Sequence, residues 1–122
     1  MTPPPIHGLR PFLPAADLAA SLAFYRALGF TVEREFRDGS GAIIELGACS
    51  LILARHDPGD HGWMMQLVVP DLDAWWAHIQ AAKLDDAFGV PPPKPPAMQP
   101  WGLRVAYVVD PSGVLWHVVP VH

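Results

Sequence analysis

The sequence predicts an α+β fold made of two βαβββ modules, and three observations point to it. A pattern of strand, aspartate and amphipathic helix occurs twice, strand-like runs follow each helix, and residue matches recur at one fixed offset. Aligning Asp71 on Asp17 sets that offset at 71 − 17 = 54. Leu13 then meets Leu67, Ala15 meets Val69, Leu18 meets Leu72, Ala20 meets Ala74 and Ala23 meets Ala77. Two units of about 55 residues are too short for a repeat array and fit a duplicated unit. The alternative is a chance match between two strand–Asp–helix patterns.

Taken in order, "LRPFLP" (9–14) reads as a short strand whose prolines imply an edge or an irregular start. Asp17 is an N-cap for "LAASLAFYRAL", where Leu18, Leu22, Phe24, Tyr25 and Leu28 follow helical spacing. Gly29 suits the C′ position that ends this helix. "FTVEREFR" and "GAIIEL" are strand-like runs around the turn "DGSG", and Gly47-Ala48-Cys49 turns the chain into "SLILAR". "HDPGDHG" (56–62) has the composition of a loop. "WMMQLVV" then reopens the pattern, Asp71 repeats the cap, and "LDAWWAHIQAAKL" is amphipathic. "LRVAYVVD" and "VLWHVV" form a hairpin about "DPSG". The chain is read as a single domain over 1–122, with module 1 at about 7–56 and module 2 at about 62–120.

Composition bounds the function. Of the 122 residues 51% are apolar, enough for one core in a domain of this size. Charged residues are 16% and the net charge is −4, with no Lys/Arg run. Nucleic acid is therefore not an expected partner, because that binding needs clustered cations against phosphates. The longest apolar run falls short of a membrane span, and the first residues lack a signal-peptide core. The single cysteine, Cys49, has no partner for an internal disulfide and suits a reducing cytoplasm. It is expected as a small apolar residue between two strands. Fifteen prolines include the run "VPPPKPPAMQP". Each proline removes a donor and fixes φ, so residues 91–100 are expected to be an extended loop, either functional or a semi-rigid connector.

Three stretches carry a family pattern: "AADLAASLAFYRALGF" (15–30), "VVPDLDAWWAHI" (68–79) and "PWGLRVAYVVDPSGVLWHV" (100–118). Together they resemble the vicinal oxygen chelate superfamily, which includes glyoxalases, extradiol dioxygenases and bleomycin-resistance proteins. The resemblance covers nearly the whole chain. It implies paired βαβββ modules, each contributing a curved mixed sheet to a cup. It also implies a divalent metal held by His and Glu ligands on the strands of the cup. The positions that would hold it lie seven residues before Asp17 and Asp71, seven after Asp110, and in "SLILA". They are occupied by Arg10, Met64, His117 and Ser50. Arginine stays cationic and does not coordinate a divalent ion, and a thioether favours soft ions. His117 is thus the only surviving metal candidate, where a catalytic site needs about three protein ligands. No metal or other cofactor is expected.

Other chemistry is also thin. The six histidines show no HxH or HxxxH spacing. His56 and His61 share a loop with Asp57 and Asp60, which leaves a surface metal open there. His78 and His122 are expected to be solvated, and His7 to lie near the mouth of the cup. There is no Gly-x-Ser-x-Gly elbow, no His/Asn constellation for Cys49 and no phosphate-binding glycine loop.

Strand alternation supplies the expected cup lining: Arg10 and Phe12, Met64 and Gln66, Leu115 and His117. Glu45, with Arg10, is a candidate for polar groups of a ligand. Trp63, Trp101 and Phe36 sit at strand ends, where they either stack on planar rings or pack in the core. Trp75 and Trp76 are adjacent on a helix and point in different directions. A largely apolar lining with few polar handles suits binding better than chemistry. Within the superfamily the chain is most similar to the bleomycin-resistance type. That likeness implies a metal-free homodimer that sequesters a small organic molecule, such as a bleomycin-like antibiotic, between subunits. The competing readings are a glyoxalase- or dioxygenase-like enzyme with displaced ligands, and an interaction module with no ligand.

Overall fold

A computed structural model describes residues 1–122 apart from 58, 60 and 61. The first module runs β1 (Phe12–Pro14), α1 (Leu18–Leu28), β2 (Thr31–Glu35), β3 (Gly41–Leu46) and β4 (Cys49–Ala54). The second runs β5 (Met64–Val69), α2 (Leu72–Ala82), α3 (Leu84–Phe88), β6 (Lys94–Met98), β7 (Arg104–Val109) and β8 (Leu115–Pro120). Each module forms one four-stranded sheet, ordered β1-β4-β3-β2 and β5-β8-β7-β6. In both, the first strand lies parallel to the last and the other pairings are antiparallel. The two orders are equivalent, so the βαβββ duplication is present in the topology.

The repeat extends to single hydrogen bonds. Asp17 Oδ1 accepts the Ala20 N–H at 3.1 Å, and 54 residues on, Asp71 Oδ1 accepts the Ala74 N–H at 3.0 Å. Each cap satisfies a backbone donor that has no partner inside its helix. The helix ends differ. Gly29, at φ 124°, closes α1 with its N–H on the Tyr25 and Arg26 carbonyls. The second helix, expected to run through Leu84, instead stops at Ala82. Lys83 takes a left-handed turn at φ 48°, and the separate helix α3 buries Leu84 completely.

The proline run is the larger departure from expectation. Residues 94–98 are not loop but β6, the edge strand of the second sheet. An edge strand is hydrogen-bonded on one side only, so missing donors are tolerated there. Pairing with β7 starts at Lys94↔Tyr107, slips across Pro95 and Pro96, and resumes at Ala97↔Val105.

One face of each sheet packs inward with the helices. Leu13, Ile44, Leu51 and Leu53 of the first module share a core cluster with Val69, Ile79, Val108, Trp116 and Val118 of the second. Phe24 and Tyr25 of α1 sit inside it, fully buried. The module junction is also polar. Tyr25 donates its hydroxyl proton to Asp110 Oδ2 at 2.6 Å and accepts the Trp116 indole N–H at 3.0 Å. Asp110 Oδ1 accepts the N–H groups of Ser112 and Val114, and Ser112 Oγ accepts the Ala16 N–H at 3.0 Å. The "DPSG" turn therefore fastens module 2 to module 1. Burial pushes the Asp110 carboxyl up, against its hydrogen bonds. Burial, and next the Asp110 charge, hold the Tyr25 phenol well above its usual range.

Two smaller expectations are revised. His78 is largely exposed, yet its Nε2 lies 2.7 Å from the Leu28 carbonyl oxygen and its ring meets Trp75 edge-on. Cys49 opens β4 and is exposed rather than packed between strands. Among the described residues no helix is long and apolar enough to cross a membrane.

Candidate functional site

The outer face of the second sheet, opposite the core, can be built strand by strand from the register. Alternation places Met64 and Gln66 of β5 outward while Met65 and Leu67 pack toward the core. Met64 pairs with Leu115 and Gln66 with His117 on β8. Leu115 and His117 pair in turn with Val109 and Tyr107 on β7. Lys94 of β6 completes the row at Tyr107. Over this face lies a cleft of about 610 Å³, walled by Met64, Tyr107, Val109, Leu115 and His117 of the sheet. Lys94 and Gln99 of the proline-rich edge, with Pro91 and Pro92, close it. The Tyr107 and His117 rings meet at 4.9 Å and 71°, an edge-to-face contact. The Nε2 of His117 is shielded from solvent and has no hydrogen-bond partner among the described residues.

The expected site residues divide between two sheets. Met64, Leu115 and His117 meet in this cleft. Gln66 is level with His117 but also lines a hollow of about 310 Å³ between the modules, with Leu9, Pro11, Cys49, Ser50 and Trp116. Phe12 and Glu45 stand on the outer face of the first sheet. There Phe12 pairs with Ile52 and Ile52 with Ile43, while Glu45 pairs with Ser50. Arg10 is exposed just before β1. Phe36 lines a groove made by its own β2–β3 hairpin, with Arg34, Arg37 and Asp38. Trp63 is half-buried against the core, whereas Trp101 is 60% exposed in the turn between β6 and β7. Within one chain, Arg10, Phe12 and Glu45 do not share a cleft with His117.

Tyr107 and Val109 are wall residues that the sequence reading missed, whereas Lys94 and Gln99 lie in the run 91–100, which it read as an extended loop that could cover a ligand. The "DPSG" hairpin held a signal for two of them: its pairing puts Tyr107 opposite His117 and Val109 opposite Leu115. Lys94 was not singled out within that run, because its proline neighbours read as loop rather than strand.

The donor set does not fit the metal that the resemblance implied. His117 and Met64 share the second sheet, while Ser50 lies on the first and Arg10 beside it. One imidazole, a thioether, a hydroxyl and a guanidinium do not make a hard-ion site. Among the described residues no three His, Cys, Asp or Glu side chains come together to hold a metal ion. Of the histidine–aspartate loop, His56 and Asp57 are exposed, and Asp60 and His61 lie outside the described residues.

The model of the Glyoxalase/Bleomycin resistance protein/Dioxygenase superfamily matches residues 8–118. The chain belongs to this superfamily. A bleomycin resistance protein of Klebsiella pneumoniae is 30% identical over 113 residues, spanning 89% of this chain and 88% of that protein. A bleomycin-binding protein crystallised with bleomycin superposes with a TM-score of 0.80 at 28% identity, over 96% of this chain and 100% of that one. A bleomycin resistance determinant encoded on the transposon Tn5 gives 0.72 at 26%, over 94% and 98%. The lactoylglutathione lyase of Agrobacterium tumefaciens, at 0.69 and 21% identity over 95% of both chains, shares the fold.

Proposed function

We propose that this superfamily member sequesters a small organic molecule of the bleomycin class, with no metal ion and no chemical turnover. The observation that carries the reading is the wall of the His117 cleft. Its volume, about 610 Å³, suits a drug-sized ligand, and its surface is mainly apolar with a few polar groups. Among the described residues it offers neither a metal-binding set nor an activated nucleophile. The likeness to a bleomycin resistance protein and to a bleomycin-binding protein over nearly the full chain supports the antibiotic as ligand. Binding alone protects when the protein is more abundant than the drug, because mass action lowers the free concentration.

The reading includes a homodimer. Phe12 on the first sheet and Met64 and Val68 on the second are 60%, 62% and 48% exposed, and such outward apolar side chains mark an interaction surface. A second copy laid across these faces would bring Arg10, Phe12 and Glu45 opposite the His117 cleft. Titration with bleomycin, followed by tryptophan fluorescence, tests the function, since five tryptophans report on it. A saturable change at micromolar drug is expected, and no change at that concentration would overturn the antibiotic reading. Stoichiometric Ni, Zn, Mn or Fe surviving dialysis would overturn the metal-free reading. Sedimentation as a monomer at the titration concentrations would remove the two-chain site.

A further inference from the structure

One rank of side chains crosses the outer face of the second sheet from edge to edge. It consists of Lys94 on β6, Tyr107 on β7, His117 on β8 and Gln66 on β5. With strands about 4.8 Å apart, the rank spans about 14 Å. All four are polar, and the face on either side of them is apolar. Val109, Leu115 and Met64 form the next rank in one direction, and Val119 pairs with Val68 in the other. Each member can donate a hydrogen bond, His117 from whichever ring nitrogen carries the proton. Lys94 is exposed and takes no part in an ion pair among the described residues. Among the described residues no aspartate or glutamate lines the cleft. The His117 Nε2, shielded and unpartnered, is a polar atom that folding leaves unsatisfied.

From this arrangement we infer that the cleft selects a flat ring compound that carries a carboxylate, or an equally anionic acceptor, on one edge. The ring lies against Met64, Leu115 and the prolines of the rim, and the anionic edge lies along Lys94, Tyr107 and His117. The selection rests on the reading that this cleft sequesters a small organic molecule. It opposes the chain's net charge of −4, which favours cations at long range. At contact, the unpaired ammonium and the donor rank decide, because distant surface charges are screened beyond about 8 Å in physiological salt. In place of a metal ion, the cleft would meet an anion with an ammonium, a phenol and an imidazole.

The test is calorimetric titration of the full chain with three probes sharing one ring system: 2-naphthoate, 2-naphthamide and 2-naphthylmethylammonium. Naphthoate should bind about tenfold more tightly than the ammonium probe, as charge-assisted hydrogen bonds predict. Lys94→Met, at an exposed position that leaves the core intact, should abolish the preference for naphthoate over the amide, weakening naphthoate about tenfold and the amide far less. Lys94→Arg should keep it. Equal affinities, a preference that survives Lys94→Met, or no binding of any probe would each overturn the inference. Bleomycin titrated into the same samples judges the sequestration reading separately. Bleomycin bound without a naphthoate preference overturns the charge selection alone. A naphthoate preference without bleomycin binding upholds the selection and removes the antibiotic.

Discussion

Tyr25→Phe should destabilise the protein far more than the loss of one oxygen suggests. The hydroxyl bridges the two modules, donating to Asp110 at 2.6 Å and accepting from Trp116 at 3.0 Å in a site with no exposure. Its removal strands a carboxylate oxygen and an indole N–H together. A hydrogen bond to a charged group contributes about 1.5–3 kcal/mol, and a stranded buried donor costs about 1–3 kcal/mol. The two overlap, so a loss of about 2–4 kcal/mol is expected. At about 4 °C per kcal/mol for a domain of this size, the melting temperature falls by about 8–16 °C. Urea denaturation read by circular dichroism measures it directly. The pH dependence supplies a second signature. The folded Tyr25 pKa is raised by burial first and by the Asp110 charge next, so Tyr25's contribution is complete below the ordinary tyrosine value of about 10. As pH rises beyond that value the unfolded phenol ionises and the buried one does not, and stability is lost at up to about 1.4 kcal/mol per pH unit. The gap between wild type and variant should therefore narrow above about pH 10. Asp110, also raised by burial, favours the folded state below its ordinary value and loses that contribution as pH rises through its folded pKa. The junction should thus survive mild acid. A loss under about 1 kcal/mol, or a gap that stays constant through the alkaline range, would refute the polar junction.

Three further substitutions test other parts of the fold. Ser21 on α1 is fully buried and its hydroxyl has no partner among the described residues, so Ser21→Ala should stabilise by about 0.5–1 kcal/mol in urea denaturation. A loss instead would mean that the hydroxyl has a partner. Lys83 holds a left-handed conformation that glycine adopts freely, so Lys83→Gly should leave the melting temperature unchanged or raise it by a few degrees, about 1 kcal/mol at most. A fall equivalent to more than about 1 kcal/mol would show that the lysine side chain holds the α2–α3 corner. A Cβ at Gly41 would collide with the Leu53 carbonyl oxygen across the β3–β4 pair, and a backbone neighbour cannot step aside. Gly41→Ala should cost about 2 kcal/mol or more by thermal denaturation, and a neutral result would exclude that close approach.

The fold was legible because its signals are local. Asp17 and Asp71 announce two helices 54 residues apart, and the alternation of "GAIIEL", "SLIL" and "VLWHVV" announces strands. The misreadings came where tertiary placement overrides local chemistry. Prolines at 95 and 96 exclude a central strand and say nothing against an edge, and whether residues 94–98 lie at an edge depends on the order of the sheet. Lys83 ends α2 early because Leu84 has a place in the core, which no propensity encodes. The candidate site was half legible. Period-two alternation from His117 and Met64 gives two strands of the second sheet. It does not tell that Arg10 precedes β1 and that Phe12 does not face the same cleft as His117.

The stretches that made the family recognisable are bonded to one another. Tyr25 lies in the "LAFYRALGF" stretch, Asp110 and Ser112 lie in "DPSG", and the first run reaches the turn through both Tyr25 and Ala16. Trp116, one residue before His117, closes the same junction on Tyr25. Their bonds join the two modules around a shared core and leave the outer faces of the sheets uninvolved. His117 points to the other side of β8 from Trp116, onto the face that Met64 and Lys94 share and that takes no part in the junction. A recognisable motif beside a donor set that does not fit a hard metal ion is therefore what this architecture permits. The inward-facing residues of β8 hold the two modules together, and its outward-facing residues wall the cleft.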